Sequence, residues 1–260
     1  MTNIGIDRIT PSGLMTFKSC PKAFYYSYFL GLQMEQLQIH FKFGTAIHLA
    51  IDEIFRQVQA NEDNLQQILN IFNENFLLEH VDNVPIKDRD TKYLEMTLDG
   101  GNMLVEFYQM RFELIKAGVH PIETEIVFKG QLYHPETKKE WPVPMSLRID
   151  GENPDRICEF KTSASKYDEE ETRQSLQAKS YVFTRFLQTG IIKPIDYVVL
   201  IKKRKKNKIQ HFTITYSYEE MLGYQEEVES IFKKIINREF DANPNHPYYC
   251  DCKKFDEVLN

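Results

Sequence analysis

Asp150, Glu159 and Lys161 are the residues of this chain whose types and spacing could do chemistry together. Two apolar pieces, residues 145–150 and 156–161, flank Gly-Glu-Asn-Pro-Asp at 151–155. That five-residue stretch is rich in turn formers, so the region reads as a tight β-hairpin. Side chains alternate faces along a strand. Glu159 and Lys161 therefore share one face, while Cys158 and Phe160 point to the other, and Asp150 closes the first strand. Two carboxylates and an ammonium brought to one place are costly unless something joins them. A divalent metal does so: the carboxylates supply hard oxygen ligands and the lysine stands beside the attacking water.

A Glu-x-Lys pair on a strand is also a common solvated pair. Three features argue for more here. Asp150 ends the preceding strand. The pair is embedded in the apolar run Ile157-Cys158-Glu159-Phe160. A Gln177-x-x-x-Tyr181 pattern follows on a helix, its two members four apart and so on one face.

Taken together, Asp150, Glu159-Phe160-Lys161-Thr162-Ser163 and Gln177-x-x-x-Tyr181 resemble the PD-(D/E)XK nuclease superfamily in its RecB-like branch. That branch includes the nuclease domains of RecB and AddB, CRISPR-adaptation exonucleases and phage exonucleases. The N-terminal stretches Ile9-Thr-Pro-Ser-Gly-Leu-Met-Thr-Phe17 and Cys20-Pro-Lys-Ala-Phe-Tyr-Tyr-x-Tyr28 resemble the opening of these enzymes. Phe43-Gly44-Thr-Ala-Ile-His48 resembles their Gly-x-x-x-His helix. The resemblance covers nearly the whole chain, with its motifs in the right order. It implies an α/β, restriction-endonuclease-like core with a mixed central β-sheet flanked by helices, plus a helical N-terminal region. It also implies that His48, Asp150, Glu159 and the backbone carbonyl of Phe160 hold Mg²⁺ or Mn²⁺. Lys161 would orient the water, and Gln177 and Tyr181 would position Lys161 and the DNA backbone. The implied activity is DNA hydrolysis, as an exonuclease rather than a site-specific cutter, in recombination, repair or phage DNA metabolism. A catalytically silent nucleic-acid-binding or complex-assembly module of the same fold is the alternative.

The composition is compatible with this. The chain has 260 residues, is 42% hydrophobic and carries a formal net charge of -6. That balance argues against a protein that coats nucleic acid without regard to sequence. It does not exclude a nuclease, because what matters is where the cations lie. Six of the seven residues 202–208 are cationic: Lys202, Lys203, Arg204, Lys205, Lys206 and Lys208. They sit at the tip of a hairpin between two strand-like runs and read either as a solvated loop or as a phosphate contact. No Walker motif is present, so a helicase would be a separate partner, as would a recombinase or single-strand-binding protein. Four cysteines without an even framework, no apolar leader and no membrane-length run point to a cytoplasmic protein, in the host cytoplasm if of phage origin.

The elements that must position these residues are mostly helical up to residue 118. Helices are expected near 10–20, 22–30, 43–58, 64–79 and 93–116, with Gly100-Gly101 as a break or kink in the last. Leu94, Leu98, Leu104, Val105, Phe107, Tyr108, Phe112 and Ile115 mark its apolar positions. A catalytic sheet core follows over 119–216, and a helix with a Cys-containing tail over 217–260, all within one nuclease domain. Glu123 and Glu125 on the first strand read as a solvated sheet edge, although some relatives place an acid that assists the metal upstream of the Asp, which makes Glu125 an outside candidate. A single helix is expected over 170–187, ended by Gly190.

The tail resembles the segment where relatives place cysteines of an iron–sulfur cluster. Cys20, Cys250 and Cys252 match only part of that pattern, and three thiolates fall short of the four such a cluster uses. An iron–sulfur cluster is therefore not expected. A zinc site formed by these three with His246 stays open on the residues alone.

Overall fold

The computed structural model describes residues 5–32, 38–77, 89–202 and 208–245. A five-stranded mixed sheet in the order β1-β2-β3-β4-β5 forms its centre. The strands are β1 (Glu123–Gly130), β2 (Met145–Glu152), β3 (Ile157–Ser163), β4 (Ile195–Ile201) and β5 (Lys208–Ile214). Only β3 and β4 run parallel; the other neighbours are antiparallel. A parallel neighbour requires a crossover, and helices α6 (Glu169–Arg173) and α7 (Leu176–Thr189) supply it.

Both faces of the sheet are buried. On one, Leu14 and Phe17 of α1 (Pro11–Ser19), Val182 and Phe183 of α7, and Met221 and Phe232 of α8 (Tyr218–Ile236) pack on Ile149, Ile157 and Tyr197. On the other, α3 (Gln38–Ala60), α4 (Leu65–Asn75) and α5 (Arg89–Lys116) pack on Cys158, Phe160, Val198 and Leu200. The alternation along β3 explains the split: Cys158 and Phe160 face the α3 side, so Glu159 and Lys161 emerge on the α7 side. β4 is apolar at nearly every position because it is covered on both faces.

Caps place the helix ends. Thr10 caps α1, its Oγ1 accepting the Gly13 amide at 2.9 Å. Short α2 (Pro21–Tyr28) begins directly after Cys20, which is buried. Ser217 and Glu220 form a capping box at α8. The single helix expected over 170–187 is instead two. Ser175 caps α7, its hydroxyl accepting the Gln177 amide, and the chain turns there between α6 and α7. The hairpin turn is also tighter than expected. Gly151 and Glu152 belong to β2, pairing with Cys158 and Ile157, and Asn153 makes the turn by accepting the Asp155 and Arg156 amides.

α5 passes through Gly100-Gly101 unbroken over its 28 residues. Gly100 serves packing rather than a kink: a Cβ there would stand 2.2 Å from the Phe72 ring of α4. Gly100→Ala should therefore lower stability by about 1–3 kcal/mol, the range typical of overpacking, as measured by urea unfolding. A wild-type midpoint would mean that Phe72 moves aside freely. The apolar positions of α5 divide between two faces. Leu104 and Phe107 are buried, whereas Leu94, Leu98 and Phe112 are exposed.

Candidate active site

The ladder between β2 and β3 holds at only two pairs, Gly151↔Cys158 and Glu152↔Ile157. Beyond them the strands part. The Asp150 side chain fills the opening, its Oδ2 accepting the Phe160 amide at 2.9 Å in place of the backbone partner a continued ladder would offer. Its Oδ1 lies 3.2 Å from His48 Nδ1. His48 reaches it from α3, one turn after Gly44, where a Cβ would meet nothing within 4 Å among the described residues. The side of His48 toward the helix N-terminus is thus open.

Glu159 and Lys161 stand beside this pair on the α7 side of the sheet, Lys161 Nζ 2.5 Å from Glu159 Oε1. Glu159 is 1% exposed, and its Oε2 has no hydrogen-bond partner among the described residues. The Phe160 ring, between the two in sequence, is fixed in the opposite core, 5.7 Å from Phe55 and 5.9 Å from Phe107. From α7, Gln177 Nε2 donates to Tyr181 Oη at 2.8 Å. The described partner of Gln177 is thus Tyr181. Burial, and then the charges of Glu159 and Asp150, push the Tyr181 hydroxyl well above its usual range, so it stays protonated.

Two further acids enter here: Glu125, which the family resemblance offered as an outside candidate, and Asp52, which the sequence left aside. Glu125 was read as part of a solvated edge, but its φ of 52° puts a non-glycine residue in the left-handed region in mid-strand. The pairs Thr124↔Gly151 and Ile126↔Ile149 bracket it, so it stands opposite Asp150. Ligand atoms of His48, Glu125 and Asp150 all lie within 4.8 Å of one another. Arg148 holds Glu125 Oε2 at 2.8 Å. Asp52 lies one turn beyond His48 on the same face of α3. Its signal was present in His48-x-x-x-Asp52, a polar i,i+4 pair off the apolar stripe.

The electrostatics are those of crowded anions. Burial and the Glu125 and Asp150 charges push Asp52 up to about 7, against the pull of His48 and Arg148. Burial and Asp150 push Glu159 up to about 8, although Lys161 and His48 act the other way. Burial would raise Asp150 too, but the His48 bond and charge, Lys161 and the Phe160 amide hold it below the usual carboxylate range. Burial lowers His48 and Lys161, and the neighbouring carboxylates overcome this and raise both.

A groove of about 580 Å³ opens on the α7 side, lined in part by Lys161, Gln177 and Tyr197, with Lys18 and Lys166 at its rim. Of the basic run, Lys203, Arg204, Lys205 and Lys206 lie outside the described residues. Lys202 forms an ion pair with Asp99, and Lys208 is exposed at the start of β5. Cys250, Cys252 and His246 also lie outside them. Cys158 faces the core as expected, its thiol pushed up to about 12 by burial.

A five-stranded mixed sheet, helices on both faces, and an Asp and a Glu-x-Lys set where two strands part define a restriction-endonuclease-like protein. A sequence model of the PD-(D/E)XK nuclease superfamily matches residues 8–255, and the chain belongs to that superfamily. Among solved structures it is similar to a "putative exonuclease" from Eubacterium rectale, with a TM-score of 0.53 and 14% identity. The match covers 99% of this chain and 90% of that one, and it shows a shared fold. No curated protein matches the sequence. Among the described residues no helix is long and apolar enough to cross a membrane.

Proposed function

We propose that this protein is a divalent-metal-dependent deoxyribonuclease of the RecB-like branch, a single nuclease domain acting as an exonuclease. The observation that carries the reading is the parting of β2 and β3. There Asp150 takes the Phe160 amide and the His48 imidazole while Glu159 and Lys161 stand next to it.

The donor set fits a hard divalent cation. It offers carboxylates and one imidazole, a combination suited to Mg²⁺ and better still to Mn²⁺. The unpartnered Glu159 Oε2 is a buried acceptor that a cation would satisfy. His48, Asp150, Glu159 and the Phe160 carbonyl would hold the ion, with Glu125 and Asp52 as further oxygen donors. Such an ion, when bound, lowers the pKa of a coordinated water and offsets charge at the scissile phosphate.

The chain's own residues do the rest. Lys161 remains protonated beside Glu159 and can donate to the attacking water or to a phosphate oxygen. Gln177 lines the groove, held by the buried Tyr181 hydroxyl behind it, and can orient the backbone of a strand. Arg148, on β2 with Asp150, holds the Glu125 carboxylate of β1 beside it. The lysines of 202–208 would add contacts to phosphates farther along the DNA.

End-labelled single- and double-stranded DNA, incubated with Mn²⁺, should lose nucleotides progressively from an end, and EDTA should stop the reaction. A closed circular substrate should survive. Failure to hydrolyse any of these with Mg²⁺ or Mn²⁺ would leave the fold as a binding or assembly module.

A further inference from the structure

We propose that the outer face of α5 pairs antiparallel with the same face of a second copy of this chain, making a two-fold dimer. Leu94, Leu98, Gly101, Val105, Tyr108 and Phe112 follow one another at spacings of 4, 3, 4, 3 and 4 residues. That alternation is the apolar seam of a two-helix coiled coil. Its centre lies opposite Met96, Gly100, Met103 and Phe107, which face the molecule's own core; at its edge Tyr108 packs partly against that core and shares the Arg111 guanidinium with Phe112. Leu94, Leu98 and Phe112 are 60%, 69% and 53% exposed. A core-facing helix needs one apolar stripe, and α5 has two.

The seam is complementary to itself when reversed. An antiparallel pairing centred on residue 103 sets Leu94 against Phe112 of the second copy, Leu98 against Tyr108, and Gly101 against Val105. Each contact then occurs twice, as a two-fold interface requires. Gly101 supports this reading. A Cβ there would meet nothing within 4 Å, so nothing among the described residues calls for glycine, and glycine costs a helix interior about 1 kcal/mol relative to alanine. At the centre of the pairing its missing side chain would let Val105 of the second copy approach.

The flanking charges agree. Glu95 and Lys116 are exposed and occupy equivalent positions on one side of the seam. Helical side chains lean toward their own N-terminus, so in antiparallel helices Glu95 and the second copy's Lys116 lean toward each other. Among the described residues Lys116 bonds Glu113 of its own helix, at 2.8 Å and exposed to solvent. At 28 residues α5 is about 42 Å long, enough for three layers on each side of the centre.

Sedimentation velocity on the full chain tests this. The wild type should sediment as a dimer at micromolar concentration. Leu98→Glu should weaken association by about a hundredfold or more, since the lost apolar contact occurs twice. Its circular dichroism should stay native, because position 98 is outside the core, and its melting point should match that of wild type diluted until monomeric. Glu95→Lys should weaken the dimer, and Glu95→Lys with Lys116→Glu should restore it. Under mild oxidation, Leu98→Cys with Tyr108→Cys in one chain should link two copies beyond the wild-type background, and Leu98→Cys alone should not. A wild type that stays monomeric to about 100 µM would overturn the proposal, whatever else the seam then binds. A dimer indifferent to Leu98→Glu, or one linked through Leu98→Cys alone, would also do so.

Discussion

Asp150→Ala and Glu159→Ala should each reduce DNA hydrolysis by at least about a thousandfold, the scale of losing a group that stabilises charge in the transition state. Lys161→Ala should be equally damaging for a different reason, and calorimetric titration with Mn²⁺ separates the two. The acid variants lose ligands, so Mn²⁺ binding should weaken or vanish. The lysine variant keeps every proposed ligand and should bind at least as well as wild type, since a nearby positive charge is gone. All three should fold. Asp150→Ala leaves the Phe160 amide without its acceptor, so a modest loss of stability is expected there. Wild-type cleavage by Glu159→Ala would remove the active-site assignment altogether.

The metal-free protein should lose stability as pH rises from about 4.5 to 8, and Mn²⁺ should restore it. Folding lifts Glu159 from 4.5 to about 8 and Asp52 from 3.8 to about 7. A carboxyl with a raised folded pKa holds more protons in the native state than in the unfolded one. Stability therefore falls as pH climbs through that interval. His48 acts in the same direction: its raised folded pKa gives stability that is full below 6.5 and fades above. Asp150, held low, contributes throughout the interval and changes little across it. Other carboxylates titrate near pH 4, so the informative quantity is a difference. Asp52→Asn should melt higher than wild type at pH 8, and the gap should close toward pH 4.5. Glu159→Gln should show the same trend, reduced by the loss of the Lys161 partner. Ion uptake must displace these protons, so Mn²⁺ affinity should rise with pH up to about 8. A pH-independent gap between Asp52→Asn and wild type would show that the carboxylates are not crowded in this way.

The hairpin carrying Asp150, Glu159 and Lys161 was legible because turn formers separate two apolar strands, and alternation then fixes the faces. His48 was legible through its place after Gly44 and through family resemblance. Other features were hidden for identifiable reasons. Glu125 joins the site because the β1–β2 register sets it opposite Asp150, and the pattern of a single strand carries no sign of which residue will face it. Asp52 is followed by Glu53 and looks like part of a solvated face. Gly100-Gly101 looks like a break when read locally; in the fold Gly100 answers to the Phe72 ring across the helix pair. The two stripes of α5 merge in a plain count of apolar residues, and only burial separates them. The extra cap at Ser175 was overlooked because the surrounding polar run suits either a loop or a helix.

Phe160 ties two properties of the molecule together. Its ring is wedged between Phe55 and Phe107, its amide is held by Asp150, and the acid and the lysine leave the chain on either side of it. The register of the site is thus set by a packing contact on the far side of the sheet. Variation in the helical core at Phe55 or Phe107 would therefore disturb the chemistry as well as the stability. The tolerance of this nuclease scaffold to mutation is accordingly narrower around Phe55 and Phe107 than their distance from the groove suggests.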